Sequence, residues 1–301
     1  MNRIEISLTP PFDMLLSTRI WSRSALEQVD IVENGNYKRA FIRGGRPVLF
    51  ELHPKGDVDN PSVEMVLNGD IDPEDLAWGM EQARWILNDF APIKRFYKHA
   101  ANVDSRLVLL TERFRGLRPL LSPSVFEILV FAIVGQQVNL NFAYQCKTAL
   151  ENRYAGYVEI DGHRWCTGLE PRDFDTASVQ EMRELKISRN KALAIIELAR
   201  AFQMVPIDRT TLSGMSATEI ADSLIALRGI GPWTAEYTLI RGLGSVDAFP
   251  SGDAGLKNAI KRHYELDHPL DESKIKTFGE KWKPYRSLAT WYLWTSLAFP
   301  D

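Results

Sequence analysis

The stretch LRGIGPWTAEYTLIRGLGSVDAFPSGDAGLK, Leu227 to Lys257, restricts the fold more than any other. It reads as a helix end, a glycine turn, a second helix, a loop, and an acid opening a third helix. Ser216 and Glu219 have capping-box spacing ahead of SATEIADSLIAL, so a helix starts there. Gly229 and Gly231 are expected to break it, because glycine enters positive φ cheaply. Pro232 suits the first turn of the next helix, where a missing N–H costs nothing. The amides around Gly229, Gly231 and Thr234 are then expected to be unpaired at a helix N-terminus and to face outward. Such a terminus binds an anion such as phosphate. Trp233 and Tyr237 lie four apart and share a helix face. Asp253 falls in the first turn of DAGLKNAIKRHY.

Ahead of this stretch the pattern changes once. Residues 1–71 read as a β-rich domain. FIRGGRPVLFELH predicts a hairpin turning at Gly44-Gly45, with Val48, Phe50 and Leu52 alternating after it. VEMVLNG predicts a short strand ending in an Asn-Gly turn. From Asp72 the chain reads as helical, with Pro73 and Asp75 in the first turn of DLAWGMEQARWILNDF. SPSVFEILVFAIVGQQV predicts a buried helix broken at Gly135, after which Gln136 and Gln137 cap a loop or face a ligand. GYVEIDGHRWCTGLEPRDFDTAS reads as loop or short hairpin. Ser188 caps LKISRNKALAIIELARAF; the cations Lys186, Arg189 and Lys191 at its start oppose the helix dipole and hint at an anion there. PYRSLATWYLWTSLAF predicts a last helix opening at Pro284, with Trp291 and Trp294 as core aromatics.

At 301 residues, two domains or three small ones are expected. No apolar run is long enough to span a membrane, and MNRIEISLTPPFD lacks a signal-peptide core. Cys146 and Cys166 are expected to be reduced thiols, and two cysteines do not make a four-cysteine iron–sulfur or zinc site. His53, His99, His163, His263 and His268 show no metal-ligand spacing. The net charge of -3 and pI of about 6.0 argue against a generally basic nucleic-acid binder. A polyanion would have to be held by a local patch and by backbone groups.

LRGIGPWTAEY followed by VDAFPSGD resembles the helix-hairpin-helix DNA glycosylase superfamily and, within it, the bacterial 3-methyladenine DNA glycosylase II family. The SPSVFEILVFAIVGQQV, SRNKALAIIELARAF and WKPYRSLATWYLW segments match in the same order, best from about residue 120 to 296. The resemblance implies an α+β fold: a helical glycosylase core over 72–301, with the helix-hairpin-helix at 216–242, and a small N-terminal antiparallel sheet domain. It implies that the hairpin grips double-stranded DNA through its amides, with Na+ or K+ held by the carbonyls of Leu227 and Ile230. A damaged nucleotide would be rotated out of the duplex, and the intercalating position falls on Gln137, beside Gln136. Gly229, Gly231 and Thr234 would line the DNA-binding hairpin.

Asp253 matches the family's catalytic aspartate, and Trp233, Tyr237 and Trp294 match aromatics of its base pocket. Alkylation makes a purine cationic and a good leaving group; a carboxylate stabilises the positive charge left on the sugar. Electron-rich rings attract such a base. A further aromatic beside the acid is replaced by Ala254, which implies a more open pocket. Lyase members carry a lysine where this chain has Trp233, so the reading is a monofunctional hydrolase without an iron–sulfur cluster. Asp253 could also be a mere N-cap, and Asp247 is the rival acid, better suited to holding loop backbone. The alternatives are a glycosylase for another lesion and a non-catalytic DNA-binding protein. A monomer is expected and, for a bacterial chain, a cytoplasmic one.

Overall fold

The computed structural model describes residues 2–205, 207–212, 214–266 and 270–300. Strands β1 (Arg3–Ser7), β2 (Ile31–Glu33), β3 (Asn36–Arg43), β4 (Arg46–Gly56) and β5 (Pro61–Gly69) form one antiparallel sheet in the order β1-β5-β4-β3-β2. Arg43 stands opposite Arg46, so the β3–β4 turn is two residues, Gly44 and Gly45, at φ 56° and 80°. Both values lie where glycine is favoured. Val48, Phe50 and Leu52 point inward at 0% exposure, as their alternation requires. Asn68-Gly69 is not a turn, contrary to expectation: both residues stay in β5, with Gly69 opposite Val48. Glycine there answers a close approach, since a Cβ would lie 2.4 Å from the Pro47 carbonyl oxygen.

A short helix, α1 (Met14–Thr18), sits between β1 and β2. The remaining helices begin at Pro73: α2 (Pro73–Ile86), α3 (Ile93–Val103), α4 (Ser105–Arg113), α5 (Val125–Gly135), α6 (Leu140–Tyr154), α7 (Val179–Glu184) and α8 (Arg189–Met204). They continue as α9 (Ala217–Ile225), α10 (Pro232–Leu243), α11 (Ala254–Tyr264), α12 (Glu272–Gly279) and α13 (Arg286–Ala298). Asp72 is the N-cap of α2 as read, and beyond that reading it forms a capping box with Asp75; α13 begins two residues after the expected Pro284. Residues 157–166 form a hairpin, β6 (Tyr157–Ile160) and β7 (His163–Cys166), rather than open loop. Apolar side chains of sheet and helices make one continuous core.

Charged residues tie the sheet to the helices. Arg39 of β3 donates from Nη2 to both oxygens of Glu127 on α5 at 2.8 and 2.7 Å, and from Nη1 to Asp30 at 3.0 Å. A second knot is Asp104, the N-cap of α4. Its Oδ2 accepts from the Tyr264 hydroxyl at 2.6 Å, the Trp282 indole at 2.7 Å and the Lys281 ammonium at 3.0 Å. Burial opposes the charge on Asp104, but these donors outweigh it and hold the carboxyl below its usual range. A depressed value in the folded state stabilises the protein above the ordinary carboxylate range, and that stabilisation is lost as pH falls through the depressed value. Asp104→Asn is therefore expected to cost about 2–3 kcal/mol at neutral pH. Thermal melts should show the gap to wild type closing in acid; an equal gap at every pH would contradict the ionic account.

Candidate active site

The hairpin between α9 and α10 is shaped by one glycine. Gly229 has φ 78°, and a Cβ there would lie 2.5 Å from the Ala194 Cβ on α8. Both conformation and space require glycine. Gly231 differs from expectation: at φ -98° it is extended, so positive φ does not explain it. It is the N-cap of α10 and offers no side-chain cap, while a Cβ at this position would meet nothing within 4 Å. The end of α10 therefore presents backbone to open space. Thr234 does not face outward as expected, being 1% exposed. Its hydroxyl accepts from Gln136 Nε2 at 3.0 Å.

The same Gln136 amide donates to the Gly229 carbonyl at 2.8 Å. Gln136 thus braces the hairpin from the α5–α6 turn instead of capping a solvated loop. Gln137 follows at φ 56° and is exposed. Val138 and Leu140 beside it are 36% and 41% exposed, an apolar pair on the same turn. Of the three cations at the start of α8, Lys191 has a different explanation from an anion: its Nζ donates to the Val134 and Gln136 carbonyls, both at 2.8 Å. It satisfies the end of α5.

Asp253 is the N-cap of α11, accepting the Leu256 N–H through Oδ1 at 2.6 Å. It is more than a cap. Oδ1 also accepts from the Trp294 indole N–H at 2.8 Å, and Oδ2 from the Trp233 indole N–H at 2.8 Å. Trp233 stacks on Tyr237 with centroids 5.5 Å apart, and Tyr237 lies 6.2 Å from Trp294. One half-buried carboxylate is thus held by two indoles that share an aromatic cluster. The residues expected to line a base pocket do meet, but with their polar edges on the acid. Sequence reasoning missed that role; the available signal was that a partly buried tryptophan N–H seeks an acceptor. Trp291, by contrast, is core.

The loop before Asp253 is pinned on several sides. The Phe249 N–H donates to Glu236 Oε2 at 2.6 Å, and Ser251 Oγ to Glu272 Oε1 at 3.1 Å. Burial first of all pushes the Glu236 carboxyl up, against the Phe249 amide. Asp247, the rival acid, is engaged by Arg286: Nε donates to Oδ1 at 2.9 Å and Nη2 to Oδ2 at 2.8 Å. It also accepts the Arg286 backbone N–H. Among the described residues, no three His, Cys, Asp or Glu side chains gather as a metal site, and no helix is long and apolar enough to cross a membrane. Cys146 and Cys166 are buried free thiols. His99 bonds the Lys281 carbonyl and His263 the Ser296 hydroxyl, while His268 lies outside the described residues.

A helix-hairpin-helix with an uncapped backbone end, beside a carboxylate held at a helix N-terminus by aromatic residues, defines the architecture of a DNA base-excision protein. Residues 130–284 match the family described as HhH-GPD superfamily base excision DNA repair protein. The chain belongs to this family. It is 32% identical to the DNA-3-methyladenine glycosylase of Bacillus subtilis over 70% of this chain and 68% of that one. It is 29% identical to the Bacillus subtilis protein YfjP over 97% and 98%. The solved 3-methyladenine DNA-glycosylase from Archaeoglobus fulgidus matches with a TM-score of 0.85 at 26% identity, covering 98% of both chains.

Proposed function

We propose that this protein is a monofunctional DNA glycosylase that removes N-alkylated purines in base excision repair. The observation that carries this reading is Asp253, with both oxygens aimed by the Trp233 and Trp294 indoles beside Tyr237. The names of its relatives point the same way. The hairpin backbone around Gly229 and Gly231 takes a backbone phosphate, and the damaged nucleotide rotates out, at a cost least for a weakened pair. Gln137, with Val138 and Leu140, enters the gap. Trp233, Tyr237 and Trp294 receive the cationic base by stacking, a contact of about 0.5–2 kcal/mol. As the C1′–N bond breaks, the base leaves with the bonding electrons and becomes neutral. Asp253 stabilises the cationic sugar until water adds to C1′ and gives up a proton.

A Schiff-base route needs an amine nucleophile, and its family position holds Trp233, so base release without strand scission is the proposed outcome. The carbonyls of Leu227 and Ile230 suit Na+ or K+, being neutral hard oxygens. The Leu227 oxygen takes one donor, Ile230 N at 3.2 Å, which leaves a lone pair. A bound cation would add positive charge facing the phosphate, which suits DNA binding by a slightly acidic monomer. The N-terminal sheet, residues 1–71, serves as support for the site.

The test is duplex DNA methylated at purine nitrogens, with free base, abasic sites and strand breaks scored separately. Base release with abasic sites and no enzyme-made breaks is expected. Breaks in step with release would overturn the monofunctional part; no release would overturn the glycosylase reading. Trp294→Phe keeps the ring and removes one donor to Asp253. It is expected to lower kcat/KM roughly tenfold, about 1.4 kcal/mol, with little change in melting temperature. An unchanged kcat/KM would mean that the indole does not position the acid.

A further inference from the structure

Trp233, Tyr237 and Arg241 stand at four-residue intervals on α10, a single stripe that starts at Asp253 and leads away from it. Beyond the aromatic cluster the stripe reaches a small cavity of about 60 Å³. Tyr237 belongs to both, stacking on Trp233 and lining the cavity. Trp21, Phe131, Tyr144 and Arg241 line it too, as do the carboxylates of Glu27, Asp30 and Glu127.

Each carboxylate in this cavity accepts through at least one oxygen, and the Arg241 and Tyr144 donors are spare. Glu27 Oε1 accepts from Lys147 Nζ at 2.6 Å and from the Val29 and Asp30 amides. Asp30 Oδ1 accepts from the Tyr37 hydroxyl and Arg39, and Glu127 from Arg39 and the Leu169 amide. Arg241 is only 6% exposed, yet its guanidinium has no hydrogen bond or ion pair among the described residues, and its Nε is buried and unsatisfied. Its neighbours are ring faces, Trp291 at 5.0 Å and Trp21 at 6.0 Å. The Tyr144 hydroxyl likewise has no partner among the described residues. Burial, then the Glu27 carboxylate, pushes that phenol up to about 12, so it stays a donor at neutral pH. A buried cation without an acceptor is costly unless a ligand supplies one.

We infer that Arg241 and Tyr144 form a subsite that reads the exocyclic edge of the flipped base and favours 6-oxopurines over adenine-type bases. The O6 of a guanine-type base accepts hydrogen bonds, whereas the N6 amino group of adenine only donates and would face two donors. Ring faces accept either base equally; the subsite supplies the discrimination. The inference rests on the glycosylase reading and deepens it by naming the preferred substrate class.

Methylated DNA carries 7-methylguanine, with O6, and 3-methyladenine, without it, so one substrate tests both. Arg241→Met should lower kcat/KM for 7-methylguanine about tenfold to a hundredfold and leave 3-methyladenine within about threefold. Tyr144→Phe, a near-isosteric change, should shift the ratio the same way and keeps the test open should Arg241→Met fold poorly. Equal losses on both lesions, or an unchanged ratio in Tyr144→Phe, would overturn the inference. Quenching of tryptophan fluorescence by free 7-methylguanine separates the two levels. If wild type releases neither base yet binds 7-methylguanine, and Arg241→Met or Tyr144→Phe does not, the glycosylase reading falls and the subsite stands. If wild type neither releases nor binds, both fall.

Discussion

Replacing Asp253 with asparagine is expected to abolish base release while leaving the fold and DNA binding in place. Asparagine caps a helix as well as aspartate, so α11 keeps its start. What is lost is the charge. A unit charge about 4 Å from the developing sugar cation, at an effective dielectric near 20, is worth about 4 kcal/mol. That corresponds to a fall of roughly 10³-fold in rate. The amide also brings an N–H₂ group against one of the two indole N–H donors that now meet oxygens. Single-turnover rates on methylated DNA, beside binding to the same duplex, check this. Retained turnover would reduce Asp253 to a helix cap; lost binding with lost turnover would point to collapse of the site rather than to missing charge.

The second large effect is one of stability. Arg39 is 3% exposed and is the cation that faces Asp30 and Glu127 across the sheet–helix junction. Arg39→Ala leaves two largely buried carboxylates without it, and removing one partner of a buried pair costs about 3–5 kcal/mol. Arg39→Lys keeps the charge but loses the fork that spans both oxygens of Glu127, so it should recover only part. The pH dependence has a definite sign. Burial already sets the Glu127 carboxyl above its usual range, with Arg39 pulling the other way. Without Arg39 the folded value rises further. A raised carboxyl costs nothing below its unfolded value, and the cost sets in as pH rises through and past it. The deficit of Arg39→Ala should therefore be smaller near pH 5 than near pH 8 in thermal melts. A deficit that grew in acid would contradict this account.

Much of this architecture is legible in the chain because local rules dominate where it turns. The β3–β4 hairpin follows from two glycines between alternating apolar residues, and α9 from its capping box. Trp233 and Tyr237 share a face because they lie four apart on α10. Other features were hidden because they depend on partners far along the chain. Nothing near Lys191 says that it will satisfy carbonyls of α5, and nothing near Asn68-Gly69 says that Pro47 will press on the glycine. Gly231 shows a subtler limit, since neither its φ nor the space around it within the protein requires glycine. In the knot of Arg39, Asp30 and Glu127, the Arg39–Glu127 bond spans 88 positions, beyond any local pattern.

The Gln136 amide holds the Gly229 carbonyl across 93 positions of chain, and Lys191 clamps the same turn to α8. The hairpin and the α5–α6 turn therefore travel as the two jaws of one caliper with a fixed gap. In the proposed complex, seating one jaw on a phosphate decides where along the duplex the other jaw, with Gln137, Val138 and Leu140, comes to rest. The protein would then test the base stack at a set distance from its grip, gauging the duplex by length before any base is touched.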